Sequence, residues 1–200
     1  MAIVNDGRMK GWGDNVYGQL GLGDMDRRGD DANEMASYLP WISLGTGRTA
    51  SEVRLGVDSS CVLLDNNTLK CWGQNVAGEI GAEDNTSVGG NPGEMGDYLN
   101  PVSFPTASTI SKIAAGWYQY GMISTVGDLY TWGYNEYGQL GKEFTNTWGN
   151  GPNEMGNYLI NTDVGTGRTV SEFMGGFFHS CVLMDNFRMK CFGNCDYGKF

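Results

Sequence analysis

Positive charge is scarce in this chain: 13 lysines and arginines stand against 23 aspartates and glutamates, a formal net charge of −10. Counterion release from DNA or RNA needs clustered Lys and Arg. The one dense basic pair, Arg27-Arg28, is flanked by Asp24, Asp26, Asp30 and Asp31, so no nucleic-acid partner is expected. Histidine is scarcer still, with His179 alone. A zinc site or a histidine-based triad has almost nothing to be built from: Cys191-x-x-x-Cys195 has no His or second cluster beside it, and no serine–acid set recurs around His179. No catalytic residue, metal or cofactor is assigned, and the protein is expected not to be an enzyme. There are only five prolines and no long polar stretch that would act as a linker, which leaves residues 1–200 as a single domain. No apolar run approaches the ~20 residues needed to cross a bilayer, so no membrane partner is expected. Met1 to Asp6 shows neither the basic start nor the apolar core of a secretory leader.

Glycine, by contrast, is abundant at 32 residues, more than twice its roughly 7% average share. It is spaced regularly. Trp12, Gly13, Asn15 and Gly18 return sixty residues later as Trp72, Gly73, Asn75 and Gly78, and again as Trp132, Gly133, Asn135 and Gly138. Phe192-Gly193 begins a fourth copy, so the repeats fall at approximately 1–60, 61–120 and 121–180, with a fourth started in 181–200. A fixed long period means one supersecondary unit stacked on copies of itself.

Within one period the pattern predicts four short strands. Residues 51–57 alternate polar and apolar, as a strand with two different faces does. Cys61-Val62-Leu63-Leu64 and Leu69-Lys70-Cys71-Trp72 flank the turn Asp65-Asn66-Asn67 and predict a hairpin with a three-residue loop. The third loop position calls for a left-handed backbone, which suits Gly7, Asn67 and Gly127 but not Phe187. Residues 98–104 are the expected fourth strand, placed at an edge because of Pro101. The fold class predicted is all-β: a partial β-propeller of four-stranded antiparallel blades. Trp12, Trp72, Trp132 and Phe192 are expected to fill the contacts between blades, and Asn15, Asn75 and Asn135 to bond turn backbone.

The W-G-x-N-x-x-G-x-L-G signature, preceded by a hairpin of the form C-V-L-L-D-N-x-x-L-K-C, resembles the regulator of chromosome condensation repeat. The resemblance covers essentially the whole chain and implies a β-propeller, seven-bladed in most members. Seven blades of this period need roughly 420 residues, so about half a ring is present. Met1 aligns with Cys61 and Phe200 with Leu140, which places both ends inside a unit. The expectation is a piece of a longer propeller with a leader possible upstream, or a short protein that covers its open blade edges by self-association. The family's founding activity, guanine-nucleotide exchange on a small GTPase, is the alternative to a non-enzymatic protein-interaction scaffold.

Two features vary in an informative way. Cys61 and Cys71 oppose each other across one hairpin, as Cys181 and Cys191 do across another, while the copy between them has Gly121 and Thr131. If the rung that closes the hairpin is hydrogen-bonded, the cysteine rung is a non-bonded pair, close enough for a disulfide. The alternative is two small buried thiols. A bridge implies an extracellular or secretory compartment, and reduced thiols the cytoplasm. The second feature is the turn between the first two strands, which runs Val57-Asp58-Ser59, Trp117-Tyr118-Gln119, then Phe177-Phe178-His179. Aromatic residues in a connection that otherwise varies are candidates for contact with a protein partner. Gly45 and Gly165 open Gly-Thr-Gly-Arg-Thr, but without the Walker lysine or spacing this is a connection and not a phosphate loop.

Overall fold

Short strands gather into sheets of three in the computed structural model, which describes residues 1–196. The pair β1 (Ala2–Ile3) and β2 (Met9–Lys10) is followed by β3 (Ala50–Leu55), β4 (Ser59–Leu64) and β5 (Leu69–Gly73). Then come β6 (Ile110–Ala115), β7 (Gln119–Ser124) and β8 (Leu129–Gly133), and last β9 (Val170–Gly175), β10 (His179–Met184) and β11 (Met189–Gly193). Each triplet is an antiparallel meander with its second strand in the middle. The first strands adjoin their counterparts, β3 beside β6 and β6 beside β9, so they form the inner edge of an arc of blades.

The expected fourth strand is reduced to one rung. Tyr98 and Tyr158 lie in 3-10 turns (Gly96–Tyr98 and Gly156–Tyr158), and the chain then touches the third strand once. Ile42 N–H donates to Met9 O at 3.0 Å, Val102 to Leu69 O at 2.8 Å, and Thr162 to Leu129 O at 2.7 Å. Three residues later the backbone turns away at Gly45, Pro105 and Gly165, whose carbonyls accept from Arg48, Ser108 and Arg168. A second rung has no room to form. Proline at 101 is therefore a minor cause: the copy with Trp41 makes the same single bond, and the copy with Asn161 adds only an isolated bridge to Tyr130.

The inner strands carry a bulge at the same place in every blade, which the alternating pattern does not reveal. Register shifts between Ala50 and Glu52, between Ile110 and Lys112, and opposite Leu183 and Met184. The extra residue is a serine each time, Ser51, Ser111 and Ser171, and the hydroxyls of Ser51 and Ser171 donate to Leu63 O and Leu183 O at 3.0 Å, satisfying a carbonyl at the irregularity.

The hairpins form as the sequence predicts. Leu64 N–H donates to Thr68 O at 2.9 Å, so the closing rung is hydrogen-bonded and the cysteine rung is not. Cys61 is paired with Cys71 and Cys181 with Cys191, each with Cα atoms 4.1 Å apart and a disulfide between them. Loop position three is left-handed in every copy: φ is +79° at Gly7, +62° at Asn67, +86° at Gly127 and +60° at Phe187. Phe187 keeps this conformation without compensation, since its ring is 88% exposed.

Between sheets the packing is apolar and the tryptophans are its centre. Trp72 and Trp132 are wholly buried. Their indole N–H groups donate to backbone carbonyls of the preceding unit, Trp72 to Gln19 O at 2.9 Å and Trp132 to Glu79 O at 3.0 Å. Around Trp132 lie Leu69, Ile80, Ile113 and Met155, and Tyr120 stacks on it at 6.1 Å. Phe192 packs half-buried against Gly141 of the third unit. Trp12 departs from the expectation. It is 44% exposed.

Two stability predictions follow from this packing. Trp132→Ala is expected to lower unfolding free energy by about 4 kcal/mol and Trp12→Ala by under about 1 kcal/mol. Urea denaturation checks both, and equal losses would contradict the assignment of Trp132 to the blade contact. Phe187→Gly is expected to gain about 1 kcal/mol by relieving the left-handed backbone. A loss on that substitution would mean that the exposed ring makes a contact the structure does not show.

Candidate functional site

The turns between first and second strands lie at the same end of the blades as the signature loops, because Ser59 pairs with Gly73 and Gln119 with Gly133. They are locked to one another. Val57 N–H donates to Trp117 O at 3.0 Å, and Trp117 N–H to Gly176 O at 3.1 Å. The Tyr120 hydroxyl accepts from Gly56 N–H at 2.9 Å and lies 3.0 Å from Ser59 Oγ. Backbones approach so closely that a side chain on Gly175 would meet Gly116 Cα at 2.5 Å. Consecutive signature loops interlock too: Gly23 N–H donates to Gly89 O, and Glu83 N–H to Gly149 O. Within each loop the Asn amide holds the turn, with Asn15 Oδ1 accepting from Leu20 N–H at 2.8 Å and Asn135 Oδ1 from Leu140 N–H at 2.9 Å.

On this braced end the aromatic side chains form one continuous surface. Trp117 and Phe177 meet at 3.7 Å between centroids, Phe177 and Phe178 at 3.9 Å, and Phe178 and Tyr137 at 4.7 Å. Tyr134 links Phe178 at 5.9 Å to Tyr118 at 6.3 Å, and Tyr118 returns to Trp117 at 6.1 Å. Trp117 and Tyr137 are the most open, each 44% exposed. Val57 and Asp58 occupy the matching turn of the first full blade, so that blade adds no ring.

Of the six turn residues singled out in the sequence, Trp117, Tyr118, Phe177 and Phe178 are brought together here. Gln119 is not on the surface. It is fully buried, and its side chain braces the turn: Oε1 accepts from Tyr118 N–H at 3.2 Å and Nε2 donates to Gly176 O at 3.1 Å. His179 occupies the matching slot, with its imidazole beneath Gly176 as Gln119 lies beneath Gly116. Tyr134 and Tyr137 join the surface from the signature loop. Tyr134 takes the place of Asp14 and Gln74 at a variable position of the motif, and Tyr137 repeats Tyr17.

The surface lies in a negative field. Burial raises the Tyr118 hydroxyl above its usual pKa, and the carboxylates of Asp58 and Glu79 add to it. Tyr134 is pushed up to about 12 by burial and by Glu136, whose Oε2 accepts its hydroxyl at 2.6 Å. Asp58 is itself raised, first by burial and then by Asp14.

Glu79 is the most unusual group. The repeat places Gln19 and Gln139 at this position, each accepting a backbone N–H through Oε1 at 2.9 and 3.0 Å. Glu79 keeps that bond, Oε2 accepting from Ala77 N–H at 2.7 Å, but Oε1 is buried without a partner. Burial pushes its pKa up to about 6. A second set of carboxylates serves the loops. Glu34 and Glu154 each receive three backbone N–H bonds on Oε2, from residues 29–31 and 149–151. These acids are framework groups that hold the acidic stretches in place. A cavity of about 580 Å³ lies at the outer rim where residues 98–103 cross Cys71. Its carboxylates are already engaged, Glu83 with Glu154 N–H and Glu94 with Gly89 N–H.

The raised Glu79 pKa sets a sign. The protonated carboxyl is tolerated below about pH 4.5, and the stability this gives is lost as pH rises through 6. Above that pH the buried charge costs about 2 kcal/mol. Glu79→Gln, which restores the repeat's residue, should therefore gain stability over the native chain by that amount between pH 4.5 and 7.5. Urea titrations of both proteins at the two pH values measure it, and a pH-independent difference would refute a buried ionised carboxylate.

Residues 51–79 match the Regulator of chromosome condensation (RCC1) repeat. Along its whole length the chain is 26% identical to the ultraviolet-B receptor UVR8 of Arabidopsis thaliana and covers 40% of that protein. It is 28% identical over 70% of its length to Protein RCC2 of Homo sapiens, covering 24% of that protein. In structure it resembles yeast RCC1 (Prp20), solved bound to Kap60, with a TM-score of 0.67 at 19% identity over 95% of this chain and 40% of that one. Human WBSCR16 gives 0.66 at 17% identity over 91% and 41%. The chain thus spans about two-fifths or less of the proteins it matches.

Proposed function

We propose that this chain, a regulator of chromosome condensation repeat protein with a partial-propeller fold, is a non-enzymatic interaction scaffold that docks a protein partner on its aromatic end. The carrying observation is the continuous surface of Trp117, Tyr118, Tyr134, Tyr137, Phe177 and Phe178. Aromatic anchors on a rigid support bind with little ordering cost, because their backbone and few rotamers are set beforehand. Here the support is the turn-to-turn ladder from Val57 through Trp117 to Gly176. The relatives agree with a scaffold role in their names, which are those of a receptor and of regulators.

Site-specific photo-crosslinking tests this. A benzophenone side chain at 117 or 137 is expected to trap protein partners in extracts. The same group at Tyr98 or Tyr158, exposed aromatics of the outer rim at 80% and 61%, is expected to trap none of them. Equal labelling from both places would remove the aromatic end as the docking surface.

A further inference from the structure

The aromatic end is paired with carboxylates that have no cation. Glu136 stands between Tyr134 and Tyr137 in the chain, and Asp58 faces Tyr118 from the preceding blade. The seven ion pairs among the described residues engage Arg8, Arg27, Arg28, Arg48, Arg54, Lys112 and Arg168, and involve neither Asp58 nor Glu136. Residues 116–120, 133–138 and 176–180, which build the surface, contain no lysine or arginine. Beneath Tyr118 and Asp58, Glu79 adds a further carboxyl with one oxygen unpartnered. Elsewhere among the described residues seven acids are paired with an arginine or lysine. Asp58 and Glu136 are not.

From this charge pattern, and resting on the docking surface proposed above, we infer that the partner presents a basic, arginine-bearing segment to this end. Ring faces carry negative potential, so a cation above Trp117 or a tyrosine is attracted, more strongly where water is excluded. A guanidinium suits the site better than an ammonium. Its plane stacks flat on an aromatic ring, its fork engages a carboxylate with two parallel bonds, and it sheds water more readily. Tyr134 and Tyr137 flank Glu136, so one arginine can lie on a ring while its edge reaches that carboxylate. An apolar partner would desolvate Asp58 and Glu136 with only neutral donors to meet their charge, the Gln19 amide and the Tyr134 hydroxyl.

Fluorescence anisotropy with a labelled oligoarginine peptide at physiological salt tests the inference against a neutral leucine–serine peptide of equal length. The arginine peptide is expected to bind and the neutral one not. Trp117→Leu/Tyr137→Leu keeps apolar bulk and removes the ring faces, and should weaken binding about tenfold. Tyr137→Phe keeps the ring and should retain affinity. Glu136→Gln should weaken binding about threefold and flatten its salt dependence. Asp30→Asn/Asp31→Asn, which reduces the net negative charge away from the rings, should leave affinity unchanged. Circular dichroism and melting curves confirm that each variant is folded, and the exposed rings chosen make that expected. Equal loss in the Asp30/Asp31 variant, or no loss in the leucine variant, overturns the inference in favour of diffuse charge attraction. Ring-dependent binding of the neutral peptide overturns the basic partner while leaving the docking surface in place. Absence of ring-dependent binding by either peptide overturns the inference as well, and the surface itself then stands or falls on the crosslinking.

Discussion

An indole N–H reaching back to a main-chain carbonyl of the unit before it is the contact on which the arrangement turns. A three-stranded sheet of five- and six-residue strands cannot bury both of its faces alone. Trp72 and Trp132 supply the missing partner, filling the space between sheets and fixing the distance and rotation of one sheet on the next through Gln19 O and Glu79 O. Because the acceptor is backbone, the side chain at that position is not committed to the blade contact. Gln at 19 and Glu at 79 both satisfy it, which is how a buried carboxyl is tolerated where the other copies carry amides.

The same division of labour runs through the turn end. Backbone groups lock blade to blade, from Val57 to Trp117 to Gly176, while the side chains at 57–58, 117–118 and 177–178 carry none of these bonds. Those residues change from Val57-Asp58 to Trp117-Tyr118 to Phe177-Phe178 while the bond closing each turn stays the same, Gly56 to Ser59, Gly116 to Gln119 and Gly176 to His179. The result is asymmetric along the arc. One turn presents an acid, and the next two present rings that touch across the blade junction. A surface with both characters arises at the junction although no single repeat contains it.

Much of the architecture was legible in the sequence, and the reasons are physical. The sixty-residue period revealed stacked units, and the opposition of Cys61 with Cys71 followed from counting rungs outward from a three-residue loop. The left-handed loop position was legible even where Phe187 violates it, because the other copies carry Gly or Asn. The single-rung fourth segment was not legible, since it depends on how soon the chain must leave at residues 45, 105 and 165 to enter the next blade. Nor was Gln119, whose polar side chain suggested exposure: the turn backbone offers it both a donor and an acceptor, so burial costs it little. Tyr134 and Tyr137 were hidden by lying inside the repeat signature, where Tyr137 repeats Tyr17 and both read as framework.

What distinguishes a working surface from framework here is how a side chain's polar groups are spent. Asn15, Asn75, Asn135, Gln119, Glu34 and Glu154 direct theirs to main-chain N–H and carbonyl groups, so changing them alters the path of the chain. Tyr134 gives its hydroxyl to another side chain, Glu136, and Trp117 shows an exposed ring whose own backbone is secured by its N–H and carbonyl. Such residues can be exchanged with the fold unaltered. On the proposed docking surface the field in which they stand favours a cation over an anion, because ring faces and carboxylates outside any ion pair attract positive charge.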